Sequence, residues 1–147
     1  MFESILVPLD GSAHSERALV TGLELAKMNG AKLTLLAVIL AYKDVHVPHV
    51  AQLDEQARQR AEMYLAPFLE DARSKGLDVA SLIIHGEPSQ EIIKAAREGS
   101  ADLIVMSTHG IGATGRHALG SVAMRVLQES DCPVLMVRVP VSSSSSP

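Results

Sequence analysis

Apolar residues in this chain fall into five short runs, separated by stretches whose apolar positions recur at helical spacing. The runs are "SILVPLD" (Ser4 to Asp10), "AKLTLLAVIL" (Ala31 to Leu40), "DVASLIIHG" (Asp78 to Gly86), "ADLIVM" (Ala101 to Met106) and "PVLMVRV" (Pro133 to Val139). Short runs of this kind read as strands. The second is apolar almost throughout, as a strand buried on both faces of a parallel sheet would be. Ser12 can cap a helix that ends at Gly30, with Leu19, Leu23 and Ala26 on one face. A second helix is predicted from roughly Leu53 to Lys75, carrying Ala57, Ala61, Tyr64, Leu65, Phe68 and Ala72. Pro67 lies inside it and is expected to kink or shorten it. "EPSQEIIKAAREG" reads as a short helix with Pro88 in its first turn, where a missing N–H costs nothing. A last helix is predicted near Ser121 to Ser130, and "AYKDVHVPHVAQ" (Ala41 to Gln52) reads as a loop.

Strands thus alternate with helices along the chain. The pattern predicts an open, mostly parallel α/β sheet with right-handed crossovers and helices on both faces. In such sheets ligands bind beyond the carboxyl ends of the strands, where strand order reverses. If strand one is central, two loops meet there. One is "PLDGS" after strand one, and the other is "STHGIGATGRHALGS" (Ser107 to Ser121) after strand four.

Composition narrows the picture. At 147 residues one domain is expected, and with 47% hydrophobic but 3% aromatic residues its core must be aliphatic. A net charge of −4 gives no reason to expect nucleic acid or an anionic membrane as partner. One cysteine, Cys132, excludes a disulfide within the chain. The start "MFESILVPLD" has no basic leader, and the run Leu33 to Tyr42 is too short to span a bilayer. The expectation is a soluble cytoplasmic protein. The domain should occupy residues 1–139, followed by a disordered serine-rich tail at 140–147.

The glycine loop carries the candidate chemistry. Gly110, Gly112 and Gly115 spell G-x-G-x-x-G. A dinucleotide fingerprint, however, belongs in the first strand-to-helix turn, with an acid about 20 residues on, at the end of the next strand. Here it follows the fourth strand, and Asp131 precedes strand five. A phosphate loop needs Lys and Ser or Thr after its last glycine, and this chain has Arg116 and His117. Another spacing fits better: Ser107, then Gly110, then Gly120 and Ser121. Gly110 would let the backbone leave strand four sharply. The N–H groups of Gly120 and Ser121 would meet an anion at a helix N-terminus. Asp10, ending strand one, can accept hydrogen bonds from a ribose.

With these residues the chain resembles the universal stress protein family of the nucleotide-binding kind, whose motif is G-x2-G-x9-G-[ST] after strand four. Ser107 stands where that motif has its first glycine. "ILVPLDGS", "GEPSQEI", "ADLIVMSTHG" and "GSVAMRVLQESDCPVLMVR" extend the resemblance over nearly the whole chain. It implies a Rossmann-like fold of the adenine nucleotide alpha hydrolase-like class, with strand order 3-2-1-4-5. It also implies ATP, with or without Mg2+, as ligand. Pro8, Leu9 and Asp10 would lie near adenine and ribose, with Val38 beside the adenine through its backbone. Met106, Ser107, Gly110, Gly120, Ser121 and Val122 would complete the site around ribose and phosphates. A Cβ at Ser107 narrows that approach, although serine keeps a donor. The family further implies a homodimer paired through strand five, whose apolar edge would otherwise be exposed.

Plainer readings stand beside these. Asp10 can be a rival to Ser12 as helix cap. Arg116, His109 and His117 can be solvated loop residues instead of phosphate contacts. His46 and His49 show no third metal ligand, His85 reads as structural or exposed, and Cys132 as a structural thiol. No carboxylate in the loop can serve as general base, so at most slow ATP hydrolysis is expected. The rivals to an ATP-dependent regulator are a low-turnover ATPase and a stress protein acting through its dimer surface without nucleotide.

Overall fold

The computed structural model describes residues 1–40, 50–109 and 119–138. Among these residues five strands are formed: β1 (Ser4–Pro8), β2 (Lys32–Ile39), β3 (Val79–His85), β4 (Leu103–Ser107) and β5 (Val134–Val137). Four helices connect them: α1 (Ala13–Asn29), α2 (Val50–Ser74), α3 (Pro88–Glu98) and α4 (Ser121–Glu129). The sheet is parallel throughout, in the order β3-β2-β1-β4-β5. This is the expected architecture, with β1 central.

Alternation along the central strands divides the core in two. Ile5, Val7, Leu33, Leu35, Leu103 and Val105 point to one face, where Ala18, Leu19 and Ala26 of α1 and Leu65 and Ala72 of α2 cover them. Leu6, Leu36, Ile104 and Met106 point to the other, under Ile92, Ala95 and Ala96 of α3 and Ala123 and Val126 of α4. Helices α1 and α2 therefore lie on one side and α3 and α4 on the other. Gly22 lets α1 lie close on the sheet, since a Cβ there would come within 2.7 Å of Val7 Cγ2.

Local signals set most of the element ends. The Ser12 hydroxyl accepts the Ser15 N–H at 3.1 Å and starts α1, and Gly30, at φ 62°, ends it. Pro88 begins α3 behind Glu87, whose carboxylate accepts from the N–H groups of Ser89 and Gln90. Pro67 does not shorten its helix: α2 runs unbroken through it for 25 residues. Pro67 and Met63, the residue one turn before it, are both exposed, so the carbonyl that loses its N–H partner faces water.

Candidate functional site

The carboxyl ends of the strands converge on a crevice where β1 stops short of its neighbours. Pairing of β1 with β2 ends at Pro8 with Leu36, after which the Leu9 N–H still reaches the Leu36 carbonyl at 2.7 Å. Leu36 thus turns its main-chain groups toward β1. Val38, two residues on, turns its own to the same side, past the end of β1. On the other flank, Ile104 and Thr108 direct their N–H groups to β5, at the carbonyls of Pro133 (3.0 Å) and Val137 (3.3 Å). Ser107 lies between them in phase and faces back toward β1. Continuing the registers sets Val38 beside Asp10 and Ser107 beside Leu9. Main chain from β2 and β4 therefore flanks one gap from opposite sides, at the point where strand order reverses.

The floor of this gap is the turn from β1 to α1. Gly11 adopts φ 86°, a left-handed conformation that favours glycine. Beyond it the chain folds back, so that Asp10 Oδ1 accepts from both the N–H and the hydroxyl of Ser12, at 2.9 and 2.5 Å. The cap of α1 is Ser12, and Asp10 braces it from outside the helix. Asp10 is exposed, whereas the Leu9 side chain is buried, so Leu9 can offer a ligand only its main chain. Met106 is likewise committed to the core beneath α3 and α4. Pro8 is half-buried at the last paired position of β1.

The wall beyond β4 is held by its own hydrogen bonds. The Gly120 N–H donates to the Thr108 carbonyl at 2.8 Å, closing the base of the glycine loop. This corrects one expectation: the Gly120 N–H is already used and does not point at an anion. The first bond within α4 runs from the Met124 N–H to the Gly120 carbonyl at 2.9 Å. Helix geometry therefore leaves the N–H groups of Ser121, Val122 and Ala123 without intrahelical acceptors, at the positive end of the α4 dipole. Ser121 is exposed and Val122 half-buried. The Ser107 hydroxyl, expected as a spare donor, donates instead to the His109 carbonyl at 2.6 Å. The Thr108 hydroxyl lies 2.9 Å from His109 Nδ1. Both hydroxyl residues are buried.

Gly110, Gly112, Gly115, Arg116 and His117 lie outside the described residues, as do His46 and His49. Pro8, Leu9, Asp10, Val38, Met106, Ser107, Gly120, Ser121 and Val122 all fall around the crevice, though Leu9 and Met106 turn their side chains away from it. Sequence reasoning overlooked Thr108, whose carbonyl and hydroxyl hold the two ends of the loop. Its place in the two-residue gap of the motif is the only hint the sequence carries. It also overlooked Tyr64 of α2, which packs edge-on against Phe68 at 5.4 Å. Burial, and after it the nearby carboxylates of Glu16 and Asp10, push the Tyr64 phenol up to about 12. His85 Nε2 stands 4.0 Å from Asp54 Oδ1, too far for a hydrogen bond. Cys132 is half-buried, with its N–H donated to Ser130 Oγ at 3.2 Å. Among the described residues no group of three or more His, Cys, Asp or Glu could hold a metal, and no helix is long and apolar enough to cross a membrane.

A parallel sheet of this order, with a crevice at its reversal point, defines the doubly wound α/β class. Residues 1–138 match the Usp family, described as the universal stress protein family, and the chain belongs to it. A universal stress protein of Thermus aquaticus is 37% identical over 142 residues, spanning 94% of this chain and all of that one. A solved structure of the hypothetical protein MJ0577 superposes with a TM-score of 0.88 at 28% identity, covering 97% of this chain and 99% of its own. A universal stress protein solved in complex with cAMP shares the fold, with a TM-score of 0.72 at 24% identity over 93% of this chain and 97% of its own.

Proposed function

We propose that this chain is a nucleotide-binding universal stress protein that takes ATP into the crevice between β1 and β4 and acts as a cytoplasmic homodimer. The observation that carries the reading is the convergence on one gap of the main chain of Val38 and Ser107, the Asp10 turn and the open N–H groups of α4. Each suits one part of an adenine nucleotide. Val38 offers an unpaired strand edge to the flat base. Asp10 accepts from ribose hydroxyls. Ser121 and Val122 offer N–H groups to a phosphate, aided by the helix dipole. The cAMP found in the relative named above is a ligand of the same class. Mg2+ would be held by the phosphates, by water and by Asp10. Nothing among the described residues near the gap is arranged as a general base for water, so the role is binding, with hydrolysis slow at most.

The test is calorimetric titration of the purified protein with ATP. Saturable binding is expected, lost in Gly120→Val, which sets a branched side chain at the mouth of α4. No heat of binding at millimolar ATP would sink the reading. Phosphate release by the wild type should not exceed that of Asp10→Ala, and a clear excess would make the protein an ATPase.

A further inference from the structure

The face of the sheet that α3 and α4 cover changes character along its length. By alternation β2 presents Lys32, Thr34, Leu36 and Val38 to it, and β3, in register, presents Ala80, Leu82 and Ile84. Leu36, Val38 and Ile84 lie in the core beneath the two helices. Nearer the amino ends of the same strands, a cavity of about 320 Å³ opens between the sheet and the last turns of α3. Leu6, Ala80 and Leu82 give it an apolar floor, and Ala95 and Glu98 of α3 line it from above. Leu82 is 39% exposed there. The cavity lies at the opposite end of the sheet from the nucleotide crevice, and its volume falls at the small end of the range of small-molecule sites, about 300 to 1,000 Å³.

Two opposite charges stand on its walls. Lys32 lines it from β2 and Glu98 from α3, and among the described residues neither side chain has a hydrogen-bond or ion-pair partner. Glu98 is the last residue of α3, where the helix dipole is negative and a carboxylate is out of place without a cation beside it. Arg97, the basic residue of that turn, is already held by Asp131 at 2.9 Å. The α3 wall therefore favours a cation, and the β2 wall, with the Lys32 ammonium and the Thr34 hydroxyl, favours an anion. We propose that this cavity is a second ligand site, which takes a small zwitterion with an apolar body, a free amino acid or a short peptide. Its ammonium faces Glu98, its carboxylate faces Lys32 and Thr34, and its alkyl chain rests on Leu6, Ala80 and Leu82. The inference goes beyond the nucleotide reading and stands or falls without it.

The experiment titrates the full-length protein, labelled with 15N, with leucine and with alanyl-leucine. Amide resonances of Thr34, Ala80, Glu98 and Gly99 should move saturably, while those of Asp10 and Ser121 at the crevice stay fixed. The tighter of the two ligands tells a free amino acid from a peptide. Lys32→Gln and Glu98→Gln should each weaken it by about twofold to fivefold, as loss of an exposed ion pair does. Both changes are at exposed positions, and an otherwise unaltered amide spectrum shows that each variant folds. Leucinamide, which lacks the carboxylate, should bind the wild type and Lys32→Gln alike. N-acetylleucine, which lacks the ammonium, should bind the wild type and Glu98→Gln alike. Glycine, with no apolar body, should bind more weakly than leucine. No saturable movement with either ligand at millimolar concentration overturns the proposal, and so does movement confined to the crevice. Unchanged affinity in either variant, or glycine binding as tightly as leucine, overturns it as well.

Discussion

Two side chains at the β1–α1 turn divide work that the sequence leaves open between them. Ser12 accepts from the Ser15 N–H and caps α1, while Asp10 takes both donors of Ser12 and keeps an exposed carboxylate. Ser12→Ala should therefore cost about 1 kcal/mol, as loss of a cap does, measured by urea unfolding. Asp10→Ala should cost less stability and more nucleotide affinity. The reverse ranking would make Asp10 a structural residue. Tyr64 lies close by, and its pKa rises from 10.0 to about 12. Above the ordinary tyrosine value the unfolded chain releases the phenolic proton while the folded chain keeps it. The folded state then binds more protons, so stability falls as pH rises. That stability is intact below the unfolded value of 10.0 and is lost on the way to about 12. The decline in urea midpoint between about pH 9 and about pH 11 should be smaller in Tyr64→Phe than in the wild type. Equal declines would mean that the phenol does not titrate abnormally. Neither the Tyr64 environment nor the bond from Ser107 to His109 is legible in the sequence. The first depends on how α2 packs beside α1 and the turn after β1, and the second on the direction the Ser107 side chain takes at the end of β4.

At the scale of elements the sequence says far more. Among the described residues each strand answers to an apolar run, and α1, α3 and α4 to a residue at their N-terminus, while α2 answers to helical spacing alone and starts at Val50, inside the stretch read as a loop. Burial on both faces makes parallel strands nearly continuous in apolar residues, and Leu33 to Ala37 show it. The strand ends are less legible. Leu9 and Asp10 belong to the apolar run yet lie past the last β1 pair, because the chain must turn at Gly11. Pro67 misleads because its cost depends on whether the lost carbonyl bond faces water, which a local pattern does not tell. Helix α3 shows a feature that composition alone hides. Its cap is Glu87, which also receives the Ser89 hydroxyl at 2.7 Å and faces Arg125 of α4 at 3.6 Å. Burial opposes the charge, but these partners outweigh it and hold the carboxyl below its ordinary 4.5. Such a group stabilises the fold at pH above the unfolded value, and that contribution fades as pH falls through the lower folded one. Glu87→Gln should therefore be less stable than the wild type near about pH 6, with the gap closing in acid below about pH 4. A gap that persists unchanged at the acid end would show that the bonds matter and the charge does not.

The whole molecule leaves one structural requirement open, and it concerns the sheet edge. Among the described residues β5 pairs only with β4, so its far side has no partner strand there. Val134 and Met136 turn into the core under α3 and α4, which leaves Leu135 leaning out on the opposite face, 38% exposed. Met124 and Leu127 of α4, three residues apart on one helix face, are also exposed. An exposed apolar edge invites pairing, and a second copy running against β5 would satisfy its N–H and carbonyl groups while covering Leu135. The tail beyond Val137 offers five consecutive serines, poor material for that cover. Light scattering on the purified protein should accordingly give about twice the chain mass of 15.7 kDa. Leu135→Lys puts a charge on the strand at its pairing edge, a device that natural sheets use against association. It should yield the mass of one chain with an unchanged far-UV spectrum. Leu82→Lys, on the opposite edge strand and 39% exposed, is the control and should remain dimeric. A wild type of single-chain mass at tens of micromolar removes the dimer from the proposed function. A dimer broken by Leu82→Lys and not by Leu135→Lys moves the interface to β3.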